Sequence, residues 1–461
     1  MLVVRRWLSW HTAVMMVVAG LGLSVLPLGV LTGGHAIFRG GAVGGVSIDA
    51  AGVVREANVE ALKLLLDYMN KTVKPAKGGL AQNTPIRKVS LRQLEGAIRD
   101  ALENNFGQLP EEVQFVGGLT RIEFVLVDKE NQDILLAGPA EGWRIDEAGN
   151  VVGVDSGRPV IRLDDLLVAF RYAEAARQVG ISCSIDPTPE GIQRGDALLA
   201  AQRRSRTPVI PERLGPALQE AVGPQTVTVT GVPANTHFAR VMVSADFHMK
   251  RLAMGVVKSP VAGLPSFIEL LAGSTAPMPR PRWWLACNYE SVSRSEDGTV
   301  WRLSGPGVKV LTEENFINQA GQVEARTGKT SPIAERWAKL MTEKYEELSL
   351  RMPIFAELRN LMDLCVVAAI IDAHDLRGMA QCPLPLLYGQ TNELPPETWN
   401  APKTVDTVCS FAPTRGGWLV ATAGGVQIEP WSLAERPVTQ PSLSSYQTHR
   451  QKPEGASWWW N

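Results

Sequence analysis

The stretch Asn235 to Gly255, NTHFARVMVSADFHMKRLAMG, leaves this chain the least choice of conformation. Phe238, Met242, Ala245, Met249 and Leu252 recur at alternating steps of four and three, which places them on one face of a helix. Asn235 or Thr236 stands where a side chain can cap the first turn, and Gly255 where a left-handed residue can close the last. Asp246 precedes Lys250 by four residues, the favourable order for a helical ion pair. Lys250 and Arg251 suit the partial negative charge at the helix C-terminus. The pattern specifies a core-facing helix and no reaction.

A chain of 461 residues exceeds what one hydrophobic core usually supports, so two or more domains are expected around that helix. With 45% hydrophobic and 20% charged residues the composition is that of a folded globular protein. A net charge of −1 argues against a basic nucleic-acid surface, and no local Lys/Arg run is taken to replace one.

The N-terminus carries the strongest functional signal. Arg5 and Arg6 head an uncharged, mostly apolar run from Thr12 to Leu31, and Gly34-His35-Ala36 supplies small residues at the cleavage positions. This is the pattern of a secretory signal peptide removed after Ala36. The run is also long enough to stay as an anchor through residues 12–31, though Pro27 and the glycines favour cleavage. The expected location is extracytoplasmic, periplasmic or secreted, with a tether as the alternative. Cys183, Cys287, Cys365, Cys382 and Cys409 are too few and too dispersed for a disulfide scaffold. An oxidising compartment allows one or two bridges, and Cys365 in its apolar run reads as a buried small hydrophobe.

Taken in order, Val54 to Asn70 reads as a helix, and Ser90 with Gln93 opens another along Leu91, Leu94, Ile98 and Leu102. Arg121 to Val127, Ile134 to Ala137, Trp143 to Ile145 and Val151-Val152 suggest a meander of short strands. Asp164 is expected to cap a helix carrying Leu167 and Phe170. Alternating strands follow at Ile181 to Ile185 and Thr226 to Thr230. Beyond the proline-rich span Pro260 to Pro281, a hairpin turns at Ser295 to Gly298, and Pro332 and Pro353 open helices. The second of these reaches about Asp375 through a nearly continuous apolar run, the mark of a central buried helix. Trp418 to Ala421 and Val426 to Ile428 are expected to form a hairpin through Gly424-Gly425. The polar tail from Pro437, ending Trp458-Trp459-Trp460, is expected to be disordered.

Each motif that suggests chemistry has a plainer reading. Asp246 and His248 would share a face only on a strand; on a helix, residues two apart point to nearly opposite sides, so this acid–His pair is a weak catalytic candidate. Gly328-Lys329-Thr330 resembles the end of a phosphate-binding loop but has Val323 where that motif needs glycine. Asp128, Glu130 and Asp133 lack the central Gly and terminal Glu of a calcium loop and read as a hairpin turn. No metal or cofactor is expected. His237, His248, His374 and His449 are the histidines beyond Ala36, which leaves few ways to assemble a catalytic triad or a zinc site. The 13 tryptophans offer Trp143, Trp283, Trp284 and Trp418 as candidates to line a glycan or peptide groove, against the plainer reading that they fill cores.

Several blocks together, GLTRIEFVLVDKENQDILLAGPAEGWRID, GRPVIRLDDLLVAFRYA, ADFHMKRLAMG, SRSEDG, GPGVKVLTE, PIFAELRNLMDL and GGVQIEPW, resemble a family of exported planctomycete proteins known only as a domain of unknown function. The resemblance runs from about Gln114 to Trp431 and implies a planctomycete source and an extracytoplasmic role; it brings no activity and no catalytic residues.

The expected fold is α+β, with two packed domains of short antiparallel strands and amphipathic helices behind the signal. Its parts are a signal over 1–36, a helical segment and linker over 37–110, α+β domains over 111–260 and 261–435, and a tail over 436–461. The leading functional expectation is a non-enzymatic envelope protein whose partners are cell-surface components or glycans. The competing one is an extracytoplasmic hydrolase using Asp246 and His248, or acids near Glu141 and Asp164-Asp165, between the domains.

Overall fold

The computed structural model describes residues 41–272, 281–314, 316–317, 323–324, 330–412, 418–420 and 422–461. The expected signal over 1–36, with its alternative anchor, and Gly328-Lys329 lie outside the described residues, as does the side chain of Trp418.

The fold is α+β, built on two large sheets. The eight-stranded sheet runs Val46–Ile48, Val53–Glu56, Thr404–Val405, Gln225–Thr230, Ile181–Asp186, Ala423–Ile428, Pro281–Asn288, Gly307–Glu314. The seven-stranded sheet runs Val438–Thr439, Ser293–Arg294, Val300–Arg302, Phe124–Asp128, Asp133–Ala140, Thr84–Ser90, Trp459–Trp460. Neighbours are antiparallel except where Val53–Glu56 meets Thr404–Val405, Pro281–Asn288 meets Ala423–Ile428, and Ser293–Arg294 meets Val438–Thr439. Both sheets draw strands from either side of residue 260, so the domain boundary expected there passes through the hydrogen-bonded ladders of both.

The helix His237–Ala253 forms where its spacing places it. Thr236 caps it by accepting from the Ala239 N–H, and Gly255 closes it at φ +69°. Yet the helix has almost no solvent face. It lies on the strands Ile181–Asp186 and Ala423–Ile428 and is covered by the central helix Pro353–Ala373, so its polar positions are buried as well. The central helix has 17 of its 21 residues buried, which its continuous apolar run requires.

The strand Phe124–Asp128 is buried at every position. Val125 and Val127 join the main core, while Phe124 and Leu126 face a separate cluster with Leu135, Ala137 and Val300. A strand apolar on both faces needs a cover on each. The second cover is the C-terminal tail, and this corrects the expectation of disorder over 436–461: Leu443 and Trp460 are buried in that cluster, and Trp459–Trp460 pairs with Lys88 and Val89.

Gly424 and Gly425 are not a turn. They sit mid-strand in Ala423–Ile428, where an added Cβ would come within 1.9 Å of the Trp283 carbonyl oxygen and 1.8 Å of that of Cys183. Glycine lets this strand insert between two neighbours. Trp418–Val420 pairs instead with Cys409–Phe411. Two helices, Pro189–Ser205 and Pro211–Val222, fill the span between the strands at 181–186 and 225–230, where no element was expected. The described cysteines are all free thiols.

Candidate functional site

The expected pair separates. Asp246 points to the sheet, where its Oδ2 accepts from Lys250 Nζ at 3.0 Å, and Lys250 donates also to the Ile185 carbonyl. Both side chains are buried, and the carboxyl Oδ1 has no partner among the described residues. Burial raises the Asp246 pKa to about 6 against the opposing pull of Lys250. His248 points elsewhere, donating from Nε2 to the Gly44 carbonyl at 2.7 Å, and burial lowers its pKa. The helical period put them apart, as its geometry demands. The cleft beside Lys250, lined also by Gln225, Phe247, Asp406 and Thr422, measures about 30 Å³. That admits a water or two, whereas small-molecule sites run to roughly 300–1,000 Å³.

The other acids named from sequence hold structure. Glu141 is buried and accepts from the backbone N–H groups of Asp155 and Ser156 and from the Ser156 hydroxyl, pinning a tight loop. Asp128 accepts from the N–H groups of Glu130 and Asn131, the turn that was expected there. Trp143 and Trp283 do not line a groove: the first is buried and donates to the Lys74 carbonyl, the second is buried between Phe267 and Trp337. Their large apolar area is worth more inside than out. Trp284, on the other face of its strand, is half-buried.

Titratable groups converge at a different place. The N-terminal turns of the helices Leu163–Tyr172, His237–Ala253 and Pro353–Ala373 come together, and Asp165 accepts from His237 Nδ1 at 3.0 Å. Carboxylates are stabilised at such helix ends. Arg162 lies 4.0 Å from Asp164, and the Arg240 guanidinium stacks over Trp399, which also faces the His237 ring at 5.7 Å. Glu357, from the first turns of the central helix, completes the group. Its residue keeps some exposure, but Oε2 is buried and unpartnered among the described residues. Burial, with Asp165 nearby, raises its pKa to about 8, so it is mostly protonated at neutral pH. The Asp165 carboxylate thus orients the His237 ring through Nδ1. Chemically this is a histidine oriented by one carboxylate, with a second, proton-holding carboxyl near that carboxylate.

Sequence reasoning named Asp164-Asp165 and counted His237 without joining them, because 72 residues separate the dyad. The available signal was that both stand in the first turn of a helix. Among the described residues no group of three or more His, Cys, Asp or Glu is placed to hold a metal ion.

The segment from Cys183 to Phe267 thus holds the dyad's histidine, the buried Asp246–Lys250 pair and the two unanticipated helices. Residues 183–267 match the family described as "Protein of unknown function (DUF1598)". The DUF1598 match brings an unknown-function domain and no assigned residues. It covers His237 but neither Asp165 nor Glu357, so the convergent group reaches beyond the matched segment. No curated protein and no solved structure matches the chain.

Proposed function

We propose that this is an exported, envelope-associated protein that binds or holds other cell-surface components and does not turn over a substrate. The observation that carries this reading is the fate of Asp246 and His248, the catalytic candidates of the sequence: Asp246 is paired with Lys250 beside a cleft of about 30 Å³, and His248 is turned away to the Gly44 carbonyl. The N-terminal pattern and the resemblance to exported planctomycete proteins support the location, with residues 12–31 either removed with the signal or kept as a tether. Among the described residues no helix is long and apolar enough to cross a membrane.

Cell fractionation of the tagged full chain tests the location, and a pull-down against isolated envelope and soluble glycans, run beside a broad hydrolase screen, tests the role. Recovery in the envelope fraction with saturable binding and no turnover is the expected result. Recovery in the cytoplasm, or turnover abolished by one acid or His substitution, overturns it.

A second reading, an acid–His hydrolase, is favoured by one observation, the His237–Asp165 pair with the proton-holding Glu357 near Asp165. In that case His237→Gln would abolish activity while leaving the melting temperature within a few degrees of wild type.

A further inference from the structure

The helices Pro189–Ser205 and Pro211–Val222 form an antiparallel hairpin with a small core of its own, Leu198 and Leu199 against Leu214, Leu218 and Cys409. Its base is tight: a Cβ on Gly191 would meet the Val222 carbonyl oxygen at 2.1 Å, and Arg194 donates to the Ala221 carbonyl. Its tip is different. Arg203, Arg204, Arg206 and Arg213 are exposed, and none makes an ion pair among the described residues. Between residues 203 and 213 the sequence places one acid, Glu212. Between Pro208 and Pro211 at the apex, Val209 and Ile210 are 45% and 44% exposed.

The apex is held in shape. Gln202 donates from Nε2 to the Thr207 carbonyl and hydroxyl, Ser205 shares a hydrogen bond with the Thr207 hydroxyl, and Arg206 closes the first helix at φ +56°. Two prolines restrict the backbone further. Two exposed aliphatic side chains are therefore presented at little ordering cost, with exposed arginines on both sides of them in the sequence.

We propose that this tip docks on an anionic lipid surface, the arginines meeting headgroup phosphates while Val209 and Ile210 enter the boundary with the acyl chains. Charge complementarity selects an anionic partner. The apolar apex selects a bilayer over a nucleic acid or anionic glycan, because only a bilayer rewards inserted aliphatic groups. The overall net charge of −1 hides this patch, but screening within about 10 Å makes the local charge the relevant one. The proposal deepens the envelope reading by naming a partner, yet the contact can be tested without knowing where the protein is exported.

The test is tryptic cleavage of the full chain at Arg203 to Arg206, followed by mass spectrometry, with phosphatidylglycerol vesicles, phosphatidylcholine vesicles or heparin. Reading the tip itself separates this contact from any attachment through another part of the chain. The expected result is protection by phosphatidylglycerol alone, weakening between 50 and 300 mM salt. For variants, membrane affinity is read by flotation. Each arginine removed costs roughly five-fold, so Arg203→Gln with Arg204→Gln falls by about 25-fold, and Val209→Ser with Ile210→Ser by roughly ten-fold. These residues are exposed, so unchanged circular dichroism is expected for both double variants. Absent protection, or equal protection by phosphatidylcholine, overturns the proposal. So does protection by heparin that survives the Val209/Ile210 substitutions, which would mark a polyanion site instead.

Discussion

Asp246 and Lys250 are a buried pair, and removing either partner leaves the other without its counter-charge. Lys250→Met or Asp246→Asn alone should destabilise by about 3–5 kcal/mol in urea unfolding, and the double variant by clearly less than the sum. A double variant as damaged as the sum would mean that the two residues act separately. Glu357 gives the pH-dependent counterpart. Its pKa rises from the ordinary 4.5 to about 8 on folding, so the folded state takes up a proton. Its contribution is fully present below pH about 4.5 and is lost as pH rises through about 8. Glu357→Gln, which cannot ionise, should match wild type near pH 4.5 and exceed it at pH 9 by on the order of 4 kcal/mol. Parallel stability curves for the two proteins would refute that assignment. At this scale the sequence showed which residues could be charged and which two lay four apart on a helix. It could not show that Asp165 faces His237, because that pairing depends on how two helix starts are brought together by the packing between them.

Among the elements, the C-terminal tail and the strand Ala423–Ile428 carry the clearest consequences. The tail covers Phe124, Leu126, Leu135 and Val300, each worth about 1.5–3 kcal/mol when removed from water. Trp460→Ala should therefore cost about 3–5 kcal/mol, and truncation after Glu435 should give an insoluble or molten product by near-ultraviolet circular dichroism. A soluble, cooperatively melting truncation would show that the tail is dispensable. Gly424→Ala is predicted to be among the most damaging single-methyl additions, since its Cβ would meet backbone, which cannot step aside as a side chain can. Thermal melting checks it, with Gly96→Ala, where an added Cβ meets nothing within 4 Å, as the tolerated control. Helices with a cap, as at Ser90 and Thr236, or with an opening proline and a long apolar run, as at Pro353, were legible. The first hairpin helix was not, because Pro189–Ser205 buries only Gly191 and Gly195 and so shows no apolar stripe, whereas Pro211–Val222 carries one at Leu214, Leu218 and Val222 that was passed over. Gly424-Gly425 misled for a related reason: paired glycines signal a turn locally, and only a neighbouring backbone reveals the other use.

For the whole molecule, the interleaving of the sheets decides how the chain unfolds. The strand Ala423–Ile428 lies between Ile181–Asp186 and Pro281–Asn288, and Val300–Arg302 pairs with Phe124–Asp128. Separately expressed fragments ending and beginning near residue 260 should each fail to fold, because each would carry unpaired edges and half a core. Two independently melting fragments would restore the division at that point. By itself the sequence determined the α+β class, the helix at 237–253 and its buried neighbour at 353–373, since period and apolar content are local quantities that survive any arrangement. Only the tertiary structure decided which charges meet, which tryptophans are hidden, and that the last residues complete a sheet begun by Thr84–Ser90. Those outcomes follow from contacts between residues far apart in the chain, and no single stretch encodes its own partner.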